Sequence, residues 1–284
     1  MILLTFLRTY PYMAWSLLVL GAFALTLAAC PARHRRGAIL GGLLALPCAL
    51  SGALLCVLLY LTGEGALSEE TVYWAPVRIG SPPIPLGVED FVYSFAAGGI
   101  AWILAIGKVR DRLVLRPRHR QVLVRLGLAH ACGLLLAAAA CETNARPMSC
   151  LLAPAVIVGV AVLAVRPRNW RIAARGAAGF TIFQFLLLKA LFVAAPEFRA
   201  SWNTDSLWGP ALWDVPLDEI AFAATFGAVW PLFVSHALDG RPLLGLRPNR
   251  ETHLLLSQAG CPSADAEAPV RTWPRISPLP RRPE

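Results

Sequence analysis

Charge is scarce in this chain. Charged residues make up 15% of its 284 positions and hydrophobic ones 57%, where an ordinary soluble domain has about 25% and roughly 45 to 50%. Too few polar groups are present to clothe a water-soluble surface. The sequence has no C-x-x-C, and its cysteines (Cys30, Cys48, Cys56, Cys132, Cys141, Cys150 and Cys261) are odd in number and lie mostly within or beside apolar runs. A disulfide framework and a zinc site are therefore not expected. No G-x-G-x-x-G follows a strand, so neither a flavin nor a nicotinamide cofactor is expected, nor a metal. Period-2 alternation is missing as well, which argues against a membrane β-barrel.

What is present is long apolar runs dominated by Leu and Ala. Seven stand at about 12–30, 38–61, 90–107, 122–141, 150–165, 177–195 and 219–238, each near the roughly 20 residues that cross a bilayer core of about 30 Å as a helix. The predicted class is an all-α integral membrane protein with seven transmembrane helices. Of the 26 basic residues, 21 fall on one side of such an arrangement: Arg33, Arg35 and Arg36, the cluster Lys108 to Arg125, Arg166 to Arg175, and the tail from Arg241. Lys and Arg collect on the cytoplasmic side, so the amino terminus is expected outside and the carboxyl terminus inside, in the cytoplasmic membrane. The net charge of +9 then reflects topology and attraction to anionic lipid, with no nucleic-acid partner. Leu27-Ala28-Ala29-Cys30 looks like a lipoprotein cleavage box, but the run before it is long and the basic residues after it resist export, so a membrane span is expected there.

Two adjacent acids stand at the head of an apolar, aromatic helix twice, 129 residues apart: GVEDFVYSFAAG at Gly87–Gly98 and PLDEIAFAATFG at Pro216–Gly227. The acid pair, an apolar residue, an aromatic two further on and a closing glycine keep register. This repeat divides the chain into residues 1–121 (helices 1–3), a linking helix 4 at 122–149, residues 150–239 (helices 5–7) and a disordered cytoplasmic tail at 240–284. The two units have the same orientation, which places corresponding motifs at one depth about a shared centre. A charge near hydrocarbon costs about 2.5 to 3.5 kcal/mol on insertion scales, so acids retained there are functional candidates. They are Glu89, Asp90, Asp218 and Glu219. The competing structural reading is that acids in a first helical turn complement the macrodipole.

The duplicated motif resembles the membrane-integral lycopene cyclase domain, which occurs as two small subunits in some bacteria and as a fused protein in archaea and fungi. In that family each unit has three membrane helices, the third opening with Pro-x-Glu-Glu or Pro-x-Glu-Asp followed by aromatics. Pro216-Leu217-Asp218-Glu219 with Phe222, and Gly87-Val88-Glu89-Asp90 with Phe91 and Tyr93, are similar to it, and the likeness extends over about residues 10–238. Gly87 replaces the family's proline, which predicts a looser helix start; Asp218 replaces its usual glutamate and is one methylene shorter.

The resemblance implies a non-redox isomerisation of a carotenoid, a lycopene-like polyene. A terminal double bond is protonated, a neighbouring double bond captures the cation, and a proton leaves the new ring. Paired carboxyls suit the acid and base roles, since two of them in low dielectric do not both ionise easily. Glu89 and Glu219 are the expected donors, with Asp90 and Asp218 tuning or accepting the proton. Phe91, Tyr93, Phe95, Phe222 and Phe226 offer ring faces to the substrate cation. Both units being fused, no second cyclase subunit is expected. The alternative is a non-enzymatic membrane protein of the same fold that binds a carotenoid or a protein partner. Lys189 either pairs with a motif acid or snorkels to water, the latter being favoured; His130 and Gln184 are read as bonding between helices. Asp214 and Asp218 form an Asp-x-x-x-Asp that hints at a magnesium diphosphate site, without the second acidic site or basic clamp it needs. A retinal-binding lysine is missing from the last helix, and no broken helices support a proton-relay transporter.

Overall fold

The structure, a computed structural model, describes residues 9–61, 86–107, 113–115, 118–143, 146–199 and 207–242. Residues 62–85, between the second and third apolar runs, and the tail from 243 lie outside the described residues. The chain is mostly helical: α1 (Pro11–Ala29), α2 (Ala32–Leu43), α3 (Leu46–Leu61), α4 (Val88–Ile106), α5 (His119–Cys141), α6 (Pro147–Val165), α7 (Trp170–Ala194), a single turn α8 (Pro196–Arg199) and α9 (Leu217–Ala237). Among the described residues, seven stretches are long and apolar enough to cross a membrane, with α2 and α3 contributing one between them.

Three boundaries differ from the apolar runs for physical reasons. The second run is broken at Leu44–Ala45, where the Leu44 and Ala45 amides bond to Leu40 and Gly42; Pro47 follows at once and supplies no N–H to continue the ladder. Helix α7 starts seven residues before the apolar run, because Arg171 and Arg175 hydrogen-bond their backbone as well as any apolar residue does. The fifth run, the shortest in sequence, forms a full 19-residue helix opened by Pro147, a residue suited to a first turn whose N–H has no intrahelical partner.

Helices α4 and α9 form the centre. Helix α4 packs on α1, α2 and α7, α9 packs on α6 and α7, and the two touch each other; α5 lies to the side against α3 and α6. Glycines decide how close these crossings come. A Cβ on Gly41 would lie 2.9 Å from the Trp102 Cβ, and one on Gly42 2.6 Å from the Phe95 carbonyl, so α2 meets α4 almost backbone to backbone. At the other crossing, a Cβ on Gly176 would lie 2.0 Å from the Gly227 carbonyl. Trp102, Phe180 and Met148 fill the interior. Large apolar side chains stand outside as well: Leu25, Leu123, Leu135 and Val193 are all more than 70% exposed, a pattern suited to an apolar surrounding.

Polar groups close the ends. Arg35 Nε and Nη2 donate to the Cys30 and Ala28 carbonyls, 3.0 and 3.1 Å, completing the last turn of α1. Beyond α9, Asp239 accepts from Arg166 at 2.5 Å, Arg125 Nη1 donates to the His236 carbonyl at 2.8 Å, and Asn169 Nδ2 donates to Ser235 Oγ at 3.0 Å. This set ties α9 to α5 and to the α6–α7 turn. Two antiparallel two-residue pairings complete the fold, β1 (Leu113–Val114) with β4 (Arg241–Pro242) and β2 (Ala211–Leu212) with β3 (Val215–Pro216).

Candidate functional site

Three of the four motif acids are buried in the bundle although large leucines lie outside it. Glu89 and Asp218 are 0% exposed, Glu219 is 5% exposed and Asp90 is half-buried. The structure thus places all four at the heads of the two central helices. What holds them differs between the copies.

At the first head, Gly87 is the N-cap of α4. Its N–H donates to Asp90 Oδ2 at 2.7 Å, and the Tyr12 hydroxyl of α1 donates to Asp90 Oδ1 at the same distance. One carboxyl therefore satisfies an otherwise unpaired amide at the helix start and joins two helices. The Glu89 carboxyl folds over Gly87: a Cβ there would lie 2.5 Å from Glu89 Cδ. The looser start expected of Gly87 is not what the structure has. Proline would remove the N–H that binds Asp90 and would place ring atoms where the Glu89 carboxyl sits, so glycine makes this head tight.

At the second head the cap is Pro216, φ −56°, which has no N–H to give. The chain reaches it through the β2–β3 hairpin, whose turn residues Trp213 and Asp214 take positive φ of 47° and 71°. Here the main-chain donor reaches the first acid of the pair. The Trp208 amide donates to both Asp218 oxygens, at 3.3 and 3.2 Å, while the Trp208 indole donates to Ser149 Oγ of α6 at 3.2 Å. Arg146, just before α6, also donates to the Leu207 carbonyl.

The ring of Tyr93 on α4 stacks on Trp15 of α1, centroids 6.4 Å apart. Helices α4 and α9 touch, and a Cβ on Gly98 of α4 would lie 3.0 Å from the Trp230 indole nitrogen of α9. Below Glu219, Phe222, Phe226 and Trp230 form a ladder along α9 with stacked neighbours 5.8 and 6.0 Å apart, about the 6 Å rise of four helical residues. Phe180 of α7 closes on Phe226 at 5.3 Å. On the other side Phe95 meets Phe23 edge to face at 5.3 Å, and Phe91 is half-buried on the first turns of α4.

Lys189 is not among the acids of the motif. It donates to the Trp213 carbonyl and to Asp214 Oδ2, 3.0 and 3.1 Å, at the exposed hairpin, where Arg199 also reaches Asp214 at 3.2 Å. Hydrogen bonding and charge from Lys189, with Arg199, hold the Asp214 carboxyl below its usual range. Asp214 and Asp218 consequently have opposite surroundings, one exposed and paired with cations, the other buried under an amide. His130 Nδ1 bridges α5 to Ser51 Oγ of α3 at 3.1 Å. Among the described residues no three His, Cys, Asp or Glu side chains gather as a metal set.

Sequence reasoning did not single out Tyr12 or Trp208. Both look like interfacial aromatics in the sequence, and only the packing of α1 on α4 and the course of the loop after α8 bring their donors to the acids. Comparison with protein families, with curated proteins and with solved structures finds no match to this chain. The described residues form a helical bundle with seven stretches long and apolar enough to cross a membrane, and two central helices each start with an acid pair and carry aromatic rings further along.

Proposed function

We propose that this chain is a multi-pass protein of the cytoplasmic membrane that cyclises the ends of a lycopene-like carotenoid by acid catalysis. The observation that carries the reading is the burial of Glu89, Asp218 and Glu219 at the starts of two touching helices, the second of which carries the Phe222–Phe226–Trp230 ladder. A buried carboxyl supplies a proton to an alkene where water does not compete. Ring faces stabilise a cation without forming a bond to it. The exposed leucines and valines make a surface suited to lipid, and the distribution of basic residues supports a topology with the amino terminus outside and the carboxyl terminus inside.

The reading includes two like-oriented three-helix units joined by α5. Its support is that the register glycine of each motif does the same work: Gly98 crosses α2 at the Gly41 carbonyl, 3.0 Å from its notional Cβ, and Gly227 crosses α7 at the Gly176 carbonyl, 2.4 Å. The carboxyls gain and lose one proton per ring, so the reaction is redox-neutral and needs no cofactor or second cyclase subunit.

One observation favours the alternative, a carotenoid- or partner-binding protein of this fold without catalysis. Asp90 caps its own helix, which is a structural use of an acid. Expression of the chain in a lycopene-producing bacterium separates the two. A cyclic carotenoid formed by the parent and not by the E89Q/E219Q double variant supports the enzyme; unchanged lycopene with the protein in the membrane supports the binding protein.

A further inference from the structure

Along α7, Gly176, Phe180 and Gln184 recur every four residues and share one face of the helix. Gly176 meets Gly227 of α9, and the Phe180 ring lies 5.3 Å from that of Phe226. That face is turned to α9. Lys189, further along α7, reaches Trp213 and Asp214, which precede α9, so the two helices run in opposite directions. Gln184 stands four residues after Phe180 and Phe222 four residues before Phe226, which puts both one turn, about 6 Å, nearer the acid head than the Phe180–Phe226 contact. The two side chains share a level, one turn inward of Asp218.

That level combines two properties. Phe183, Phe222 and Phe226 are half-buried, so part of their ring surface stays accessible. Gln184 by contrast is 3% exposed, and its amide carbonyl, Oε1, has no hydrogen-bond partner among the described residues. A bond between helices through the amide N–H groups would account for the burial and still leave this acceptor open. Buried polar atoms without a partner are uncommon, and each requires a reason. The hydroxyls of Ser16 on α1 and Thr181 on α7 are unpartnered too, but a helical hydroxyl satisfies itself by turning to the carbonyl four residues before it. The glutamine carbonyl only accepts, and a helix interior has no spare N–H to offer it.

We propose that Gln184 sets the specificity of the site, its carbonyl accepting a hydrogen bond from a hydroxyl group on a long apolar polyene. The inference rests on the polyene reading above and narrows its substrate class to hydroxylated chains. A pure hydrocarbon brings no donor and leaves the buried carbonyl unmet, whereas a hydroxylated chain meets it and lays its apolar length on the accessible rings. Discrimination between ligands that differ by one hydroxyl is strongest where the site has a buried polar group that only one of them satisfies.

Binding tests this without ring formation. The full chain in lipid nanodiscs is titrated with two acyclic polyenes of equal length, lycopene and its monohydroxylated counterpart, at matched mole fraction in the lipid, and followed by quenching of tryptophan fluorescence. The parent is expected to bind the hydroxylated chain about tenfold more tightly, the scale of one hydrogen bond. Q184L and Q184M are each expected to bind both chains alike, and S16A to keep the preference. Q184M retains the length of the side chain without its carbonyl, so it decides the matter if Q184L does not fold. Equal binding by the parent, which is the result if Gln184 holds only an ordered water, overturns the inference, as does no binding of either chain or a preference that survives in both Gln184 variants. A parent that shows the preference and forms no ring would end the catalytic reading and leave this assignment standing; one that cyclises lycopene without any preference would do the reverse.

Discussion

The heads of α4 and α9 derive from one motif and have been built in two ways. The first is closed locally: glycine cap, aspartate and a tyrosine from α1 within hydrogen-bond distance. The second is closed by its loop, which folds a hairpin, turns Trp208 inward and delivers a proline cap. The two heads share a placement, an acid pair at a helix start, and differ in the bonds that hold it. The most informative experiments treat the two heads in parallel.

The largest difference is expected at the glutamates. On the proposed cyclase reading, general acid catalysis contributes about 10²- to 10⁴-fold, and the two motif helices α4 and α9 touch. The two heads are therefore expected to act as one site, with E89Q and E219Q each lowering ring formation by about 10²-fold or more in the pigment profile of a lycopene-producing host. A single variant that makes only one-ring carotenoid at undiminished rate would break the comparison, since it would make the heads two independent sites.

The register glycines come next. An alanine Cβ at Gly227 would lie 2.4 Å from the Gly176 carbonyl and 2.8 Å from the Phe180 Cβ; at Gly98 it would lie 2.5 Å from the Ala45 Cβ. Neither neighbour is the end of a flexible side chain, so the helices must separate, at a cost of about 1 to 3 kcal/mol. G227A is expected to be the more destabilising, because its contact is a carbonyl fixed in the ladder of α7. Unfolding titrations of both variants in mixed micelles would measure the order, and a negligible effect of G227A would mean that the α7–α9 crossing is wider than described.

A third contrast exchanges the caps. G87P removes the amide that Asp90 accepts and displaces the Glu89 carboxyl, costing about 1 kcal/mol as a lost cap with a further loss from the clash. P216G removes only the preset φ of the second head and is expected to cost about 0.4 to 1 kcal/mol. Thermal unfolding of the two variants side by side checks the ranking; a more damaging P216G would show that the second head depends on its proline more than on Trp208.

Much of this was legible before any coordinates. Continuous apolar runs with 129-residue self-similarity locate the helices and the acids, because period and composition are local properties. Burial of the acids also follows from the motif, as they stand against apolar, aromatic turns on both copies. The positioning donors were not legible. Tyr12 lies 78 residues from Asp90, and Trp208 acts through its main-chain amide, which no side-chain pattern announces. The break at Leu44–Ala45 was readable from Pro47 in principle, but an apolar composition hides a one-turn interruption. Gly87 shows the limit most clearly: taken by itself it signals looseness, and its meaning depends on which acid turns back toward it.

The smallest expected effect concerns the brace outside the second head, where Lys189 and Arg199 converge on Asp214. The Asp214 side chain is 56% exposed, so solvent screens the attraction and the contribution is slight. Its sign is nevertheless fixed. The folded-state value is held below the ordinary 3.8 by Lys189 first and then Arg199, so the stabilisation is complete at pH above that ordinary value and is lost as pH falls through the lowered one. Hydrogen exchange at the Leu217 amide, which bonds to the Pro210 carbonyl at 3.0 Å, reports whether the hairpin stays closed. Exchange corrected for its intrinsic pH dependence is expected to be level from neutral pH to about 5 and to rise below about 4 in the parent, while D214N shows the raised level throughout. If D214N instead follows the parent, the ion pairs do not hold the hairpin, and the second head is kept in place by the Trp208 amide and Pro216 alone.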